Sequence, residues 1–358
     1  MKVALITPDL PHYRENLYKI FAADDSIHFV HYSDMRERYG VASVPVSSLE
    51  AFQPATVVSL GPLRWQKGVV KAALNKSFDK YVMTGDFRFI STWVASVIVR
   101  LRRKPLFFWT MGWRRPETGV KKYIRNTFYS IPHKLMVYGN IGKKLGVHQG
   151  FPESRIEVVF NSVSDFREIE RSGDSCEGKI NAVGVVGRLN KVKKLPLLLD
   201  AVNVLKDRGL NLEIIFAGEG SDRDALEAKA AKLNINCKFL GAIYDPEEIA
   251  NFYKKIKVTV VPAAIGLTAI QSLAHGVPVI TDDKDSDHGP EVDCVIDGIT
   301  GSKYPAGDIN ALADEIEKWI AQATQHPNET SRNCVEEFKN HWTPEVQAHR
   351  MLTVIQSQ

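Results

Sequence analysis

The chain is poor in cysteine: four in 358 residues, Cys176, Cys237, Cys294 and Cys334, far apart and without CxxC or Cys/His ligand spacing. That excludes a disulfide framework and a structural zinc site, and it predicts reduced thiols and a cytosolic address. Glycine is missing from TPDLPHYREN, which follows the first apolar run. A nicotinamide-dependent dehydrogenase would need GxGxxG there, so that activity is set aside. No run is long enough to span a bilayer; Phe89 to Val99 is apolar but short, and it carries Ser91, Thr92 and Ser96. The opening MKVALITPDLPHYREN has one lysine and a short apolar run, and it reads as a first strand and not a signal peptide. Acids are scarce in one region. Arg100 to Ile156 holds thirteen Lys/Arg and two acids, Glu117 and Glu153, interleaved with Trp109, Trp113, Tyr123, Phe128 and Tyr129. A solvated helix face accounts for any single lysine there. The clustering suits an anionic membrane surface or a diphosphate-linked acceptor. No zinc finger, RNA-recognition or helix-turn-helix pattern is present, and no nucleic-acid partner is expected.

Apolar runs alternate with helical periods along the chain, as in parallel βαβ units. The predicted organisation is α/β with two Rossmann-like, doubly wound domains facing a central cleft. Residues 1–165 form the first, 166–180 a charged linker, 181–340 the second, and 341–358 a terminal helix. In the first half, strands are predicted at Lys2 to Thr7, Ile27 to Tyr32, Thr56 to Leu60, Lys80 to Thr84, Pro105 to Trp109 and Lys134 to Val137. Ligands of such sheets bind beyond the carboxyl ends of the strands, so strand ends are where chemistry is sought.

Gly187-Arg188-Leu189-Asn190-Lys191-Val192-Lys193-Lys194 follows a buried strand and precedes a helix. Arg188 offers a planar fork and Lys193 a point charge, which together suit a diphosphate. Ala217-Gly218-Glu219-Gly220 also ends a strand; a plain turn explains it, and Gly218 and Gly220 would otherwise let backbone approach a nucleotide. In Val261 to Thr281, Gly266, Leu267 and Thr268 would present N–H groups where a helix starts, and Gln271 would reach a ribose or sugar hydroxyl. An ordinary strand-helix-strand unit gives the same pattern. His288 would sit near sugar or phosphate, or be only a loop histidine. In the first half, His12 and Arg14, Asp86, and Trp113 follow three strands on the acceptor side. Asp86 is the candidate for acceptor positioning or proton acceptance, and Trp113 for stacking on a sugar ring. For each of them taken alone, a structural role is the first reading.

Five segments, in order, resemble one family: GRLNKVKK at 187–194, AGEG at 217–220, FLGAIYDPEEIANFYKKIKVTVVP at 239–262, GLTAIQSLAHGVPVI at 266–280 and GPEVDCVIDGITG at 289–301. They are similar to retaining glycosyltransferases of the GT-B fold, family 4, the "glycosyl transferases group 1" type. They cover roughly the C-terminal half; HWTPEVQ at 341–347 is similar to the last helix of that fold, which tends to cross back to the first domain. The resemblance implies a nucleotide-sugar donor, UDP-linked by preference, held by the second domain. Arg188 and Lys193 match its diphosphate-binding pair, Gly266 and Leu267 its donor loop, and Glu291 a glutamate at a helix start near the donor. It implies no metal and no other cofactor, because the basic pair and the helix start carry the leaving-group charge. The chain departs from the family at a Glu-x7-Glu pair, whose positions are Ala263 and Gln271 here.

The resulting expectation is transfer of a sugar, with retention, to a glycan or lipid-linked acceptor. The setting implied is bacterial surface polysaccharide synthesis at the cytoplasmic membrane face, with peripheral contact through the basic region at 100–155. A non-catalytic sugar-nucleotide-binding partner in a glycan-assembly complex is the alternative, favoured by Ala263 and Gln271.

Overall fold

The structure is a computed structural model that describes residues 1–37, 41–163 and 181–357. The predicted linker at 166–180 lies outside the described residues. The chain divides into two units, Met1–Ser164 with Thr343–Gln358, and Asp165–Trp342.

In chain order, the first unit contains β1 (Lys2–Ile6), α1 (Glu15–Ala22), β2 (His28–Ser33), β3 (Ala51–Pro54), β4 (Val57–Leu60), β5 (Leu63–Gln66) and α2 (Val69–Leu74). These are followed by β6 (Lys80–Thr84), α3 (Ile90–Leu101), β7 (Leu106–Thr110), α4 (Gly119–Tyr129), β8 (Lys134–Val137), α5 (Asn140–His148) and β9 (Ile156–Val158). Seven of its strands make one sheet in the order β3-β2-β1-β6-β7-β8-β9, every pair parallel. Both faces are covered, so the strands read as continuous apolar runs; all five residues of β7, LFFWT, are buried. Alternate side chains feed opposite layers. Ala4, Ile6, Met83 and Phe108 pack with Val69, Ala95, Val99 and Phe128 from the helices. Val3, Leu5, Val82, Phe107 and Trp109 pack with Leu17 and Phe21 of α1.

The second unit runs β10 (Ala182–Val186), α6 (Pro196–Asp207), β11 (Glu213–Ala217), α7 (Arg223–Leu233), β12 (Asn236–Phe239) and α8 (Pro246–Lys255). It continues with β13 (Val258–Val260), α9 (Thr268–Ala274), β14 (Val279–Asp282), β15 (Gly301–Tyr304), α10 (Ile309–Gln325) and α11 (Pro327–His341). Its six-stranded sheet has the order β12-β11-β10-β13-β14-β15 and is parallel throughout. In both sheets the order reverses beside the first strand, between β1 and β6 and between β10 and β13. Such reversals open the crevices in which doubly wound sheets bind ligands.

The terminal helix α12 (Pro344–Gln356) belongs to the first unit. Pro344 occupies its first turn and the Thr343 hydroxyl accepts from the Val346 N–H, both signals of a helix start. Ala348, Met351 and Ile355 form a helical stripe buried against α1 and the sheet. Met351 is fully buried. We expect Met351→Ala to lower stability by about 2–5 kcal/mol, read by chemical denaturation; a smaller loss would mean that the stripe is loosely packed.

The stretch predicted as a strand at Thr56 to Leu60 is one arm of an antiparallel hairpin. Val57–Leu60 pairs with Leu63–Gln66 across Gly61-Pro62, with Gly61 at φ 61°. It stays out of the parallel sheet because a two-residue turn can join only antiparallel neighbours.

Candidate functional site

β10 ends at Gly187, whose φ of 108° is a conformation open to glycine. The loop beyond it zips onto the loop after β11. Gly187 N–H donates to the Ala217 carbonyl (2.9 Å), Leu189 N–H to that of Glu219 (2.9 Å), and Asp222 N–H to that of Leu189 (3.2 Å). A Cβ on Gly218 or Gly220 would fall inside the carbonyls of Gly187 and Leu189 respectively. What the absence of a side chain at these two glycines admits is the backbone of the neighbouring loop.

Lys191–Lys193 make a single 3-10 turn that brings the Lys193 side chain back over Gly187. Its Nζ is 4.0 Å, and the Thr268 hydroxyl 3.5 Å, from where a Gly187 Cβ would lie. The Thr268 hydroxyl donates to the Val186 carbonyl (3.2 Å). Strand end, lysine and donor-loop threonine, far apart in sequence, are therefore neighbours. Lys193 is half-buried and Arg188 beside it is exposed. Among the described residues no acid or other acceptor pairs with the Lys193 ammonium. Burial, with the Arg188 charge adding to it, brings its pKa down to about 8. The result is a desolvated cation with a second cation beside it, an arrangement an anion would relieve.

The loop from Pro262 to Leu267 follows β13. Ala263 is fully buried, and Ala264 takes the left-handed φ of 51°. Helix α9 starts at Thr268, two residues later than Gly266, and has seven residues. The N–H groups of Leu267 and Thr268 find no acceptor among the described residues. Gln271 is half-buried and its amide likewise has no partner there. Glu291 lies in the 3-10 turn Pro290–Cys294, is 4% exposed, and holds a carboxylate oxygen 3.8 Å from the Cβ position of Gly266. Thus Gly187, Arg188, Lys193, Gly266, Leu267, Thr268 and Glu291 gather at the carboxyl edge of one sheet.

His288 does not face that edge. Its side chain is fully buried, Nδ1 accepts from the Ile265 N–H (3.2 Å), and Nε2 donates to Asp282 (2.8 Å to Oδ1). Placement near a sugar is corrected to a structural position. The sequence carried no signal for the pair, since Asp282 ends a strand six residues away and nothing local marks a contact.

The segment Asp282 to Asp287, DDKDSD, contains two Asp-x-Asp spacings, the kind that can hold a metal. Here its carboxylates turn to protein groups: Asp285 to Lys303 (3.0 Å), Asp287 to Lys284 (2.9 Å), and Asp283 to the Ala306 N–H (3.0 Å). Among the described residues no group of three or more His, Cys, Asp or Glu is placed to hold a metal ion.

In the first unit the side chains predicted on the acceptor side scatter. Trp113 is 1% exposed, edge-on to Tyr129 with ring centres 4.7 Å apart, and donates to Asn126 (3.2 Å). It fills core and cannot stack on a sugar. Arg14 is buried too: its guanidinium lies over Trp109 (4.4 Å) and Tyr138 (5.1 Å) and donates to Asn161 (3.0 Å). Asp86 pairs with Arg88 through both carboxylate oxygens (2.9 and 2.7 Å) within one turn. His12 is exposed, with Nδ1 3.3 Å from the Ala42 carbonyl.

Of the aromatics interleaved in the basic region, Trp109, Trp113, Phe128 and Tyr129 are core. Arg125 is taken by Glu117 (2.6 Å), Lys134 by Glu157 (2.6 Å) and Lys143 by Glu153 (3.1 Å). Arg103, Arg114, Arg115 and Lys144 are exposed, and so is the face of α4 with Val120, Tyr123 and Ile124 at 74, 73 and 40% exposure, beside Lys122 and Lys121, the latter paired with Glu117 (3.1 Å). Among the described residues no helix is long and apolar enough to cross a membrane.

Residues 166–341 match the family described as Glycosyl transferases group 1. The chain is 28% identical over 250 residues to the capsular polysaccharide biosynthesis glycosyltransferase CapM of Staphylococcus aureus, an alignment covering 63% of this chain and 64% of the relative. It is 28% identical over 223 residues, 60% of this chain and 58% of the relative, to a Campylobacter jejuni α-1,4-N-acetyl-D-galactosaminyltransferase whose name gives a GalNAc-containing, diNAcBac-PP-undecaprenol-linked acceptor. The matches therefore span less than two thirds of these relatives. Among solved structures, HepE from Anabaena in complex with UDP superposes with a TM-score of 0.72 over 100% of both chains at 16% identity, which establishes the GT-B fold. With its strand-end motifs in the family's order on a doubly wound sheet, the chain belongs, through residues 166–341, to the glycosyl transferases group 1 family.

Proposed function

We propose that the carboxyl edge of the second sheet binds the diphosphate of a nucleotide sugar, UDP-linked by preference, and that the protein transfers the sugar to a glycan or lipid-linked acceptor. The observation that carries this is Lys193: a half-buried ammonium without an anionic partner among the described residues, beside Arg188 and over Gly187. Arg188 and Lys193 stabilise the departing diphosphate as its charge grows, so the reaction is written without a metal. Retention at the anomeric carbon is proposed from the family, with a diphosphate oxygen taking the acceptor proton. Asp86, held by Arg88, is assigned to positioning the acceptor. The name of the Staphylococcus aureus relative supports a place in bacterial surface polysaccharide assembly; the cytoplasmic membrane face is proposed from the family resemblance. The apolar and basic face of α4 is the proposed peripheral contact with the membrane.

Isothermal titration of the full chain with UDP, GDP and dTDP, followed by assay with the matching sugar nucleotides with and without EDTA, tests this. We expect UDP to bind and UDP-sugar turnover to survive EDTA. Failure of all three nucleotides to bind would refute the reading. The buried Ala263 and the amide of Gln271, which stand where a carboxylate pair is usual, favour a second reading, a non-catalytic binder. Binding with neither transfer nor slow donor hydrolysis would select it.

A further inference from the structure

The donor loop is held from behind by a second segment. Ile265 is the last residue before Gly266, and both of its backbone polar groups are taken by consecutive residues: its N–H by the ring of His288 (3.2 Å), its carbonyl by the N–H of Gly289 (2.7 Å). Gly289 packs so closely that a Cβ there would lie 3.2 Å from the Gly266 Cα. His288 can accept at Nδ1 only as the neutral Nε2–H tautomer, and Asp282 fixes that tautomer by accepting from Nε2 with both Oδ1 (2.8 Å) and its own carbonyl (2.9 Å). Asp282 is wholly buried at the end of β14, and its other carboxylate oxygen lies 3.7 Å from the Lys194 ammonium. Lys194 is the neighbour of Lys193. One buried carboxylate therefore reaches both loops of the candidate site: the lysine loop after β10 by an ion pair, and the loop after β13 through the imidazole.

We propose that Asp282 and His288 are a positioning pair that presets the 264–267 loop, so that the Leu267 and Thr268 N–H groups and the Lys193 ammonium are spaced for a diphosphate before any ligand arrives. The strained Ala264 needs such a brace, because left-handed backbone at alanine persists only where its surroundings impose it. The inference rests on the nucleotide-binding reading above. It adds that the loop is ordered by a protein group and not by side-chain contact from position 263 to the donor.

Two variants of the full chain separate the roles. His288→Gln can still donate to Asp282 but leaves no acceptor at Ile265. The double variant Asp282→Asn with His288→Asn keeps an acceptor near Ile265 and leaves no buried carboxylate unpaired. Hydrogen exchange followed by mass spectrometry reads the Ile265 amide without ligand, and titration with UDP reads the site. Expected is at least tenfold faster exchange at Ile265 and at least tenfold weaker UDP binding in the glutamine variant. The asparagine pair should restore Ile265 protection to within about threefold of wild type, and should bind UDP at least threefold more tightly than the glutamine variant but more weakly than wild type, because the Asp282–Lys194 ion pair is lost. Unchanged protection of Ile265 in the glutamine variant overturns the proposal. So does loss of UDP binding that follows the melting temperature equally in both variants, since that is a structural role alone. If the wild type binds no UDP, the nucleotide reading fails, while the exchange pattern still decides whether the pair holds the loop.

Discussion

Replacing Lys193 by methionine is expected to weaken UDP binding by a hundredfold or more while making the apoprotein more stable. The two effects share one cause. The ammonium is held in a half-buried position beside Arg188, where its pKa is about 8, against about 10.4 in an unfolded chain. The unfolded state therefore binds the proton more tightly. Below about pH 8 the folded state carries the whole penalty of the buried charge, and stability rises as pH climbs from about 8 to about 10.4. Methionine removes that penalty, a gain on the order of 2 kcal/mol at neutral pH. It also removes the charge that a diphosphate would neutralise. UDP affinity of the wild type should fall as pH rises through about 8, as the lysine loses its proton. Thermal melts and titrations from pH 6.5 to about 9.5 test both signs. A methionine variant that is less stable than wild type and still binds UDP would refute the assignment.

Gly220→Ala should lose stability by about 3 kcal/mol or more, enough to abolish folding in a marginal domain. The added methyl would occupy the space of the Leu189 carbonyl oxygen, and backbone cannot swing aside as a long side chain does. Because Leu189 N–H bonds Glu219 and Leu189 C=O accepts from Asp222, the shift would break the zip between the two loops and displace Lys193 with them. Gly266→Ala is the contrast. Its new methyl would meet only the Glu291 carboxylate at 3.8 Å, an ordinary contact, so stability should change by less than about 1 kcal/mol. Denaturant melts of the two variants compare the cases. Equal losses would mean that Gly220 is not set by the Leu189 backbone.

The comparison also separates what local pattern can and cannot reveal. AGEG reads as a turn in which backbone comes close, and backbone does come close. Whether the two glycines face a nucleotide or the protein's own backbone depends on which loop the sheet order places beside them, and that loop is the one carrying Gly187 and Leu189. Met111-Gly112-Trp113-Arg114 follows a strand and reads the same whether Trp113 points outward to a sugar or inward to Tyr129; the fold turns it inward. Strands β3 and β15 escape the sequence reading because AFQP and GSKY have no apolar alternation of their own. They are strands because β2 and β14 offer edges to pair with. Helix α5 escapes because two glycines and a histidine blur its period.

The sequence by itself determined two α/β halves, the parallel strands β1, β6, β10 and β11, the terminal helix, and the family to which the second half belongs. Those follow from apolar period, helix-start chemistry and motif order, all properties of neighbours along the chain. The tertiary structure alone decided that Lys193 lies over Gly187 beside Thr268, that Arg14 and Trp113 are interior, and that Asp282 reaches one loop through His288 and the other through Lys194. Each of these is a contact between residues distant in sequence. Its energy depends on burial and on the partner met there, and neither is written in the residues on either side.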